Sequence, residues 1–150
     1  MQMFRLIEQD NAELVGWGVQ VLLLSNPRCP ASAVVQRRIA GIGGRITLHS
    51  AVSAAVAHII ARPGAFGLFV MNCDDFGGID AGMQALAQLR DAGMVVPAIL
   101  VSSACRRQIF PEAATDPVQL RAPLSAVSLH VGFEHALRPA TADISADVAA

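Results

Sequence analysis

The residues whose types and spacing could do chemistry stand where apolar runs stop. The run Gly67-Leu68-Phe69-Val70-Met71-Asn72 ends in an amide and passes into the polar loop Cys73-Asp74-Asp75-Phe76-Gly77-Gly78. A second run, Val96-Pro97-Ala98-Ile99-Leu100-Val101, ends in Ser102, and an earlier one, Val19 to Leu24, stops at Ser25-Asn26-Pro27. Carboxylates near a hydroxyl are the parts of nucleophilic and cation-assisted chemistry, whereas the amide of Asn72 is a poor nucleophile. If the runs are strands of one parallel sheet, their carboxyl ends share the edge where such folds place their sites.

The elements that must position these residues follow from an alternation of short β-rich runs with helical patterns. Val19 to Leu24 is nearly continuous in apolar residues, as a strand buried on both faces would be. Ala31 to Ile42 reads as a helix, with Val34, Val35, Ile39 and Ile42 near helical spacing and Gly43-Gly44 as its stop. Arg45 to Leu48 is the second strand, Ser53 to Ala61 a small-residue helix, and Gly67 to Asn72 the third strand. From Asp80 to Ala92, Met83, Leu86 and Leu89 recur every three positions among polar residues, which predicts an amphipathic helix. Val95 to Val101 is the fourth strand. Pro111 and Pro117 leave room for at most a short or distorted helix between Cys105 and Val118. Val118 to Leu120 is the fifth strand, and Ser125 opens a last helix reaching Leu137. Five strands alternating with helices predict a doubly wound, five-stranded parallel α/β sheet in three layers, α/β/α. A flavodoxin-like strand order would bring Ser25, Asn26 and Asn72 to one crevice.

Composition limits the function classes. The chain of 150 residues has the size of one domain, expected over residues 19–137, with an extension over 1–18 and a frayed tail over 138–150. It is 53% hydrophobic and 15% charged, with 11 basic against 12 acidic side chains, so no strong field is available to attract nucleic acid or an anionic membrane. No apolar stretch approaches the roughly 20 residues of a spanning helix. The first ten residues lack the pattern of a secretory signal, which makes the cytoplasm the expected location. Three cysteines, Cys29, Cys73 and Cys105, fit neither a disulfide framework nor a zinc-ligand pattern, and are read as inert thiols.

Over residues 19–137 the pattern resembles the receiver domain of response regulators. In that family an acidic pair after the first strand holds magnesium and an aspartate ending the third takes the phosphoryl group. A serine or threonine ends the fourth strand, and a lysine before a proline ends the fifth. Thirty residues separate Asn72 from Ser102, a spacing that suits the family, and Pro123 stands where its proline is expected. The chemical positions differ. Ser25 and Asn26 replace the acidic pair, Asn72 the phosphoacceptor and Ala122 the lysine, while Arg121 points by strand alternation to the opposite face. The resemblance implies a degenerate phosphoacceptor pocket of Ser25, Asn26, Asn72, Asp74, Asp75, Ser102 and Ala122, with no catalytic residue and no resident cofactor. Magnesium enters only if Asp74 or Asp75 ligates it. A shifted register would make Asp74 the acceptor, 28 residues before Ser102, but would bury Asn72 within a strand. In the preferred register Asp74 and Asp75 form a solvated turn ahead of a helix amino terminus.

The remaining motifs carry less. Gly41 to Gly44 lacks the lysine and hydroxyl of a phosphate loop and serves as a helix stop. His49, His58, His130 and His135 share no metal-ligand spacing. Arg106, Arg107 and Phe110 form either an interaction patch or a charged loop over a core-filling Phe110. The resulting expectation is a non-enzymatic, pseudo-receiver signalling domain, bacterial in setting, that binds a protein partner. In the family, the fourth helix, fifth strand and fifth helix often mediate output or dimerisation. Here that face maps to Cys105 through Leu137 and offers a possible homodimer contact. The alternatives are a phosphorylatable receiver using Asp74 or Asp75 and a small-molecule-sensing module in the same crevice.

Overall fold

The computed structural model describes residues 17–138, so most of the expected extension and tail lie outside the described residues. Five strands, β1 (Gln20–Leu24), β2 (Arg45–His49), β3 (Leu68–Asn72), β4 (Ala98–Ser102) and β5 (Val118–Arg121), alternate with helices α1 (Pro30–Gly41), α2 (Val52–Ala61), α3 (Ile79–Asp91) and α4 (Ala126–Ala136). A single 3₁₀ turn, Cys73–Phe76, joins β3 to α3. The sheet order is β2-β1-β3-β4-β5 and every neighbouring pair is parallel. The direction of winding reverses between β1 and β3, which opens a crevice at their carboxyl ends.

The near-continuous apolar runs are explained by burial on both sheet faces. Successive side chains of β1 point to opposite layers. Val21 and Leu23 join Val70, Ile99, Val35 and Ile39 of α1, and Leu129 and Phe133 of α4. Leu22 and Leu24 join Phe69, Met71, Leu100, Ala55 and Ile59 of α2, and Leu86 and Leu89 of α3. β2, at one edge, is only half-buried. These two packed layers fix where the strands end, and hence where their polar residues emerge.

One expectation is corrected. Val95, Val96 and Pro97 precede β4 and are not part of it, and Val95 is 63% exposed. No helix forms between β4 and β5. Ile109 and Gln119 instead exchange two backbone hydrogen bonds, of 2.8 and 2.9 Å, in an isolated antiparallel bridge. The prolines flanking this stretch remove helix donors, while the outer edge of β5 offers unpaired backbone groups to an extended segment.

The layer on the α3 side is tight. A Cβ added at Gly82 would lie 2.9 Å from Cys73 Sγ and 2.9 Å from both terminal carbons of Leu100. Gly82→Ala is therefore expected to destabilise the domain by about 1–3 kcal/mol through overpacking, read as a lowered urea midpoint without a change in slope.

Candidate functional site

The carboxyl ends of β1, β3 and β4 form one hydrogen-bonded row. Asn72, 6% exposed, donates from Nδ2 to Ser25 Oγ at 2.8 Å. The fully buried Ser25 donates in turn to Asp75 Oδ2 at 3.3 Å, and the Asn26 backbone N–H donates to the same oxygen at 2.9 Å. On the other side, the buried Ser102 hydroxyl donates to Asp74 Oδ1 at 2.5 Å and accepts from the Ala104 N–H at 3.1 Å. The Ser103 N–H reaches Asp74 Oδ2 at 2.8 Å. Thus Asp75 ties β3 to the end of β1, and Asp74 ties it to the end of β4.

The 3₁₀ turn makes this possible. Cys73 is fully buried, and burial pushes its thiol up to about 12. With Cys73 anchored inward, the next two carboxylates leave the turn toward opposite neighbours. Gly77 and Gly78, with φ of 111° and 100°, then reverse the chain into α3, a conformation that glycine adopts without steric cost. The expectation of a merely solvated turn is corrected, because all these bonds run to other elements. Burial alone would raise the Asp74 carboxyl, but the Ser102 hydroxyl and the Ser103 N–H and hydroxyl together hold it below the usual carboxylate range.

Ser25, Asn26, Asn72, Asp74, Asp75 and Ser102 are therefore neighbours. Ala122 sits beside them, lining an apolar cavity of about 60 Å³ together with Val34, Val35, Asn72, Val101 and Pro123. Arg121 alternates away and donates from Nε to the Cys105 carbonyl at 3.0 Å. Arg106, Arg107 and Phe110 stand apart in the segment between β4 and β5. Both arginines are exposed, and Phe110 lies over no core: it is 36% exposed and meets His135 edge-on, ring centroids 5.7 Å apart.

The sequence offered no motif for a second polar pair. His49 Nε2 and His58 Nδ1 are 2.8 Å apart, with Phe66 edge-on to His58. The His49 carbonyl accepts from the Ser25 N–H at 3.0 Å, which places the pair next to the row. Burial first, and the adjacent His58 second, lower the basicity of His49. A strand end and a helix face nine residues apart meet only through the tertiary fold. Cys29 also borders the row, and Asp75 raises its thiol further above the reactive range, in keeping with an inert thiol.

A divalent cation fits this arrangement poorly. Among the described residues no three His, Cys, Asp or Glu side chains are placed to hold a metal ion. Ser25, Asn26 and Asn72 are neutral, and both oxygens of Asp74 and Oδ2 of Asp75 already accept protein donors. Magnesium at a protein site relies on anionic oxygens free to coordinate it.

No protein-family model and no curated protein matches the sequence. Solved structures do match. The N-terminal domain of a response regulator/sensory box/GGDEF 3-domain protein from Carboxydothermus hydrogenoformans superposes with a TM-score of 0.63 at 14% identity, over 83% of this chain and 98% of that one. A variant of the receiver domain of the histidine kinase CKI1 from Arabidopsis thaliana gives 0.57 at 13% identity, over 79% and 91%. The PhyR stress response regulator gives 0.55 at 20% identity, over 91% of this chain and 52% of PhyR. The chain has a receiver-like, flavodoxin-type α/β fold.

Because its folded-state basicity is depressed, Asp74 contributes stability above its ordinary value of 3.8 that is lost as pH falls through the lower folded value. Asp74→Asn is expected to cost about 0.2–1 kcal/mol near neutrality, a figure discounted for solvent screening of an exposed carboxylate. The gap from wild type should close on acidification, read by urea unfolding between pH 7 and pH 3.

Proposed function

We propose that this chain is an atypical receiver-like signalling domain that acts by binding a protein partner, without transferring a phosphoryl group. The observation that carries this reading is Asn72. The side chain at the end of β3 is a neutral amide, and it is spent on a hydrogen bond to Ser25. An amide in that place does not attack phosphorus, and no lysine stands beside it, since Ala122 occupies the position before Pro123. Asp74 and Asp75 are consistent with a structural role, because Asp74 through both oxygens and Asp75 through Oδ2 join strand ends. In this reading Ser25, Asn26, Asn72, Asp74, Asp75, Ser102 and Ala122 are the remains of a phosphoacceptor pocket.

Without chemistry of its own, such a module passes information through contact. The face from Cys105 to Leu137 is the proposed contact surface, for a signalling partner or a second copy. Its β4–β5 segment runs through turns and bends with one bridge to β5 at Ile109, and it exposes Arg106, Arg107, Ile109 and Phe110. A bacterial signalling setting and a cytoplasmic location belong to the same proposal; among the described residues, no helix is long and apolar enough to cross a membrane.

One observation favours a second reading. The Ser102 hydroxyl approaches Asp74 at 2.5 Å, as a hydroxyl poised to answer charge on that carboxylate would. Intact mass after incubation with acetyl phosphate and magnesium separates the two. No phosphoryl adduct is expected. An adduct lost in Asp74→Asn or in Asp75→Asn would identify that aspartate as the acceptor and make the domain a phosphorylation switch.

A further inference from the structure

The end of β5, the first turn of α4 and the segment before β5 border an open groove of about 310 Å³ lined by Arg107, Gln108, Arg121, Pro123 and Ser128. We infer that this groove receives an acidic segment of the protein partner, with side-chain carboxylates seated between Arg107 and Arg121. The inference deepens the proposed function and rests on its reading of the domain as a contact module.

The charge in the groove has one sign. None of the five lining residues is acidic, and the ion pairs formed among the described residues, Arg90 with Asp116 and His130 with Glu134, leave Arg107 and Arg121 out. Arg121 is not free to swing. Its Nε donates to the Cys105 carbonyl, which fixes the guanidinium plane and leaves its terminal N–H groups for another acceptor. A fixed, planar fork loses less freedom on binding a carboxylate than a mobile cation would. The groove also lies at the amino end of α4, an 11-residue helix whose dipole favours negative charge there. Gln108 and Ser128 add neutral hydrogen-bonding groups between the two cations.

The surroundings favour a chain segment over a free anion. Next in sequence to the lining residues stand Ile109, 43% exposed, and Val127, 74% exposed, with Val131 one helical turn beyond. A segment mixing acidic and aliphatic side chains would neutralise the arginines and cover these apolar residues together.

The test titrates the ¹⁵N-labelled full chain with a blocked eight-residue peptide of six glutamates and two leucines. Saturable shifts are expected at Arg107, Gln108, Arg121 and Ser128, weakening with salt. Arg107→Glu should weaken apparent binding about tenfold or more, as loss of a close charge partner does. Arg107 is exposed, so this variant should keep a wild-type spectrum elsewhere. The inference is overturned if those residues do not shift, if Arg107→Glu binds equally well, or if inorganic phosphate or a glutamine-for-glutamate peptide reproduces the shifts. A silent groove in a chain that takes no phosphoryl group defeats this inference alone, whereas a phosphoryl adduct defeats the functional reading whatever the groove binds.

Discussion

The rest of the site depends on one constraint: polar side chains buried where three strands end must be hydrogen-bonded. Ser25 and Ser102 are fully buried and Asn72 nearly so, and no buried side-chain nitrogen or oxygen among the described residues lacks a partner. Leaving any one of them unpaired would cost about 1–3 kcal/mol, a sizeable part of a domain's net stability. The carboxylates of Asp74 and Asp75 meet that demand. To reach it the chain must tighten into a 3₁₀ turn and then reverse through Gly77 and Gly78 into α3. The conformation of the loop is therefore set by the strand ends it serves.

That same economy bears on chemistry. Each hydrogen bond that satisfies a buried group also occupies an oxygen that a cation or an incoming substrate would need. A neutral Asn72 suits its surroundings, since it lies one hydroxyl away from Asp75 and is almost wholly removed from water. A second carboxylate there would face a like charge in a poorly solvated place with no cationic side chain among the bonded neighbours. Stability and the proposed loss of phosphoryl transfer thus have a common physical origin.

The layered fold was legible in the sequence because burial on both faces leaves a continuous apolar signature in β1, β3 and β4, and because Leu86 and Leu89 mark the inner side of α3, whereas Met83, read with them from its spacing, is 41% exposed. The residues of the carboxyl edge were legible too, as polar residues terminating apolar runs. What they do there was not. Two consecutive aspartates read locally as a solvated turn, and only the β2-β1-β3-β4-β5 order reveals donors waiting on either side. The bridge before β5 was hidden for a related reason. Prolines forbid a regular helix, but the pairing of Ile109 with Gln119 depends on β5 being the sheet's edge. The His49–His58 bond likewise arises where β2 and α2 meet and has no local signature.

The carboxyl edge and the arginine groove share a length of chain. Asp74 holds Ser102 and Ser103, Ser102 holds the Ala104 N–H, and the next carbonyl, that of Cys105, fixes Arg121. From the carboxylate to the guanidinium the path runs through hydrogen bonds and four consecutive residues, with no flexible linker between. Register reinforces it, since Ser102 and Arg121 are direct partners across β4 and β5. A contiguous network of this kind transmits a displacement only if its parts have two arrangements of similar energy. Here Asp74 is exposed enough to be reached from solvent while its bonded partner Ser102 is fully buried. The bond between them therefore joins a carboxylate in contact with solvent to a hydroxyl packed inside the sheet edge, at the head of the path that ends on Arg121.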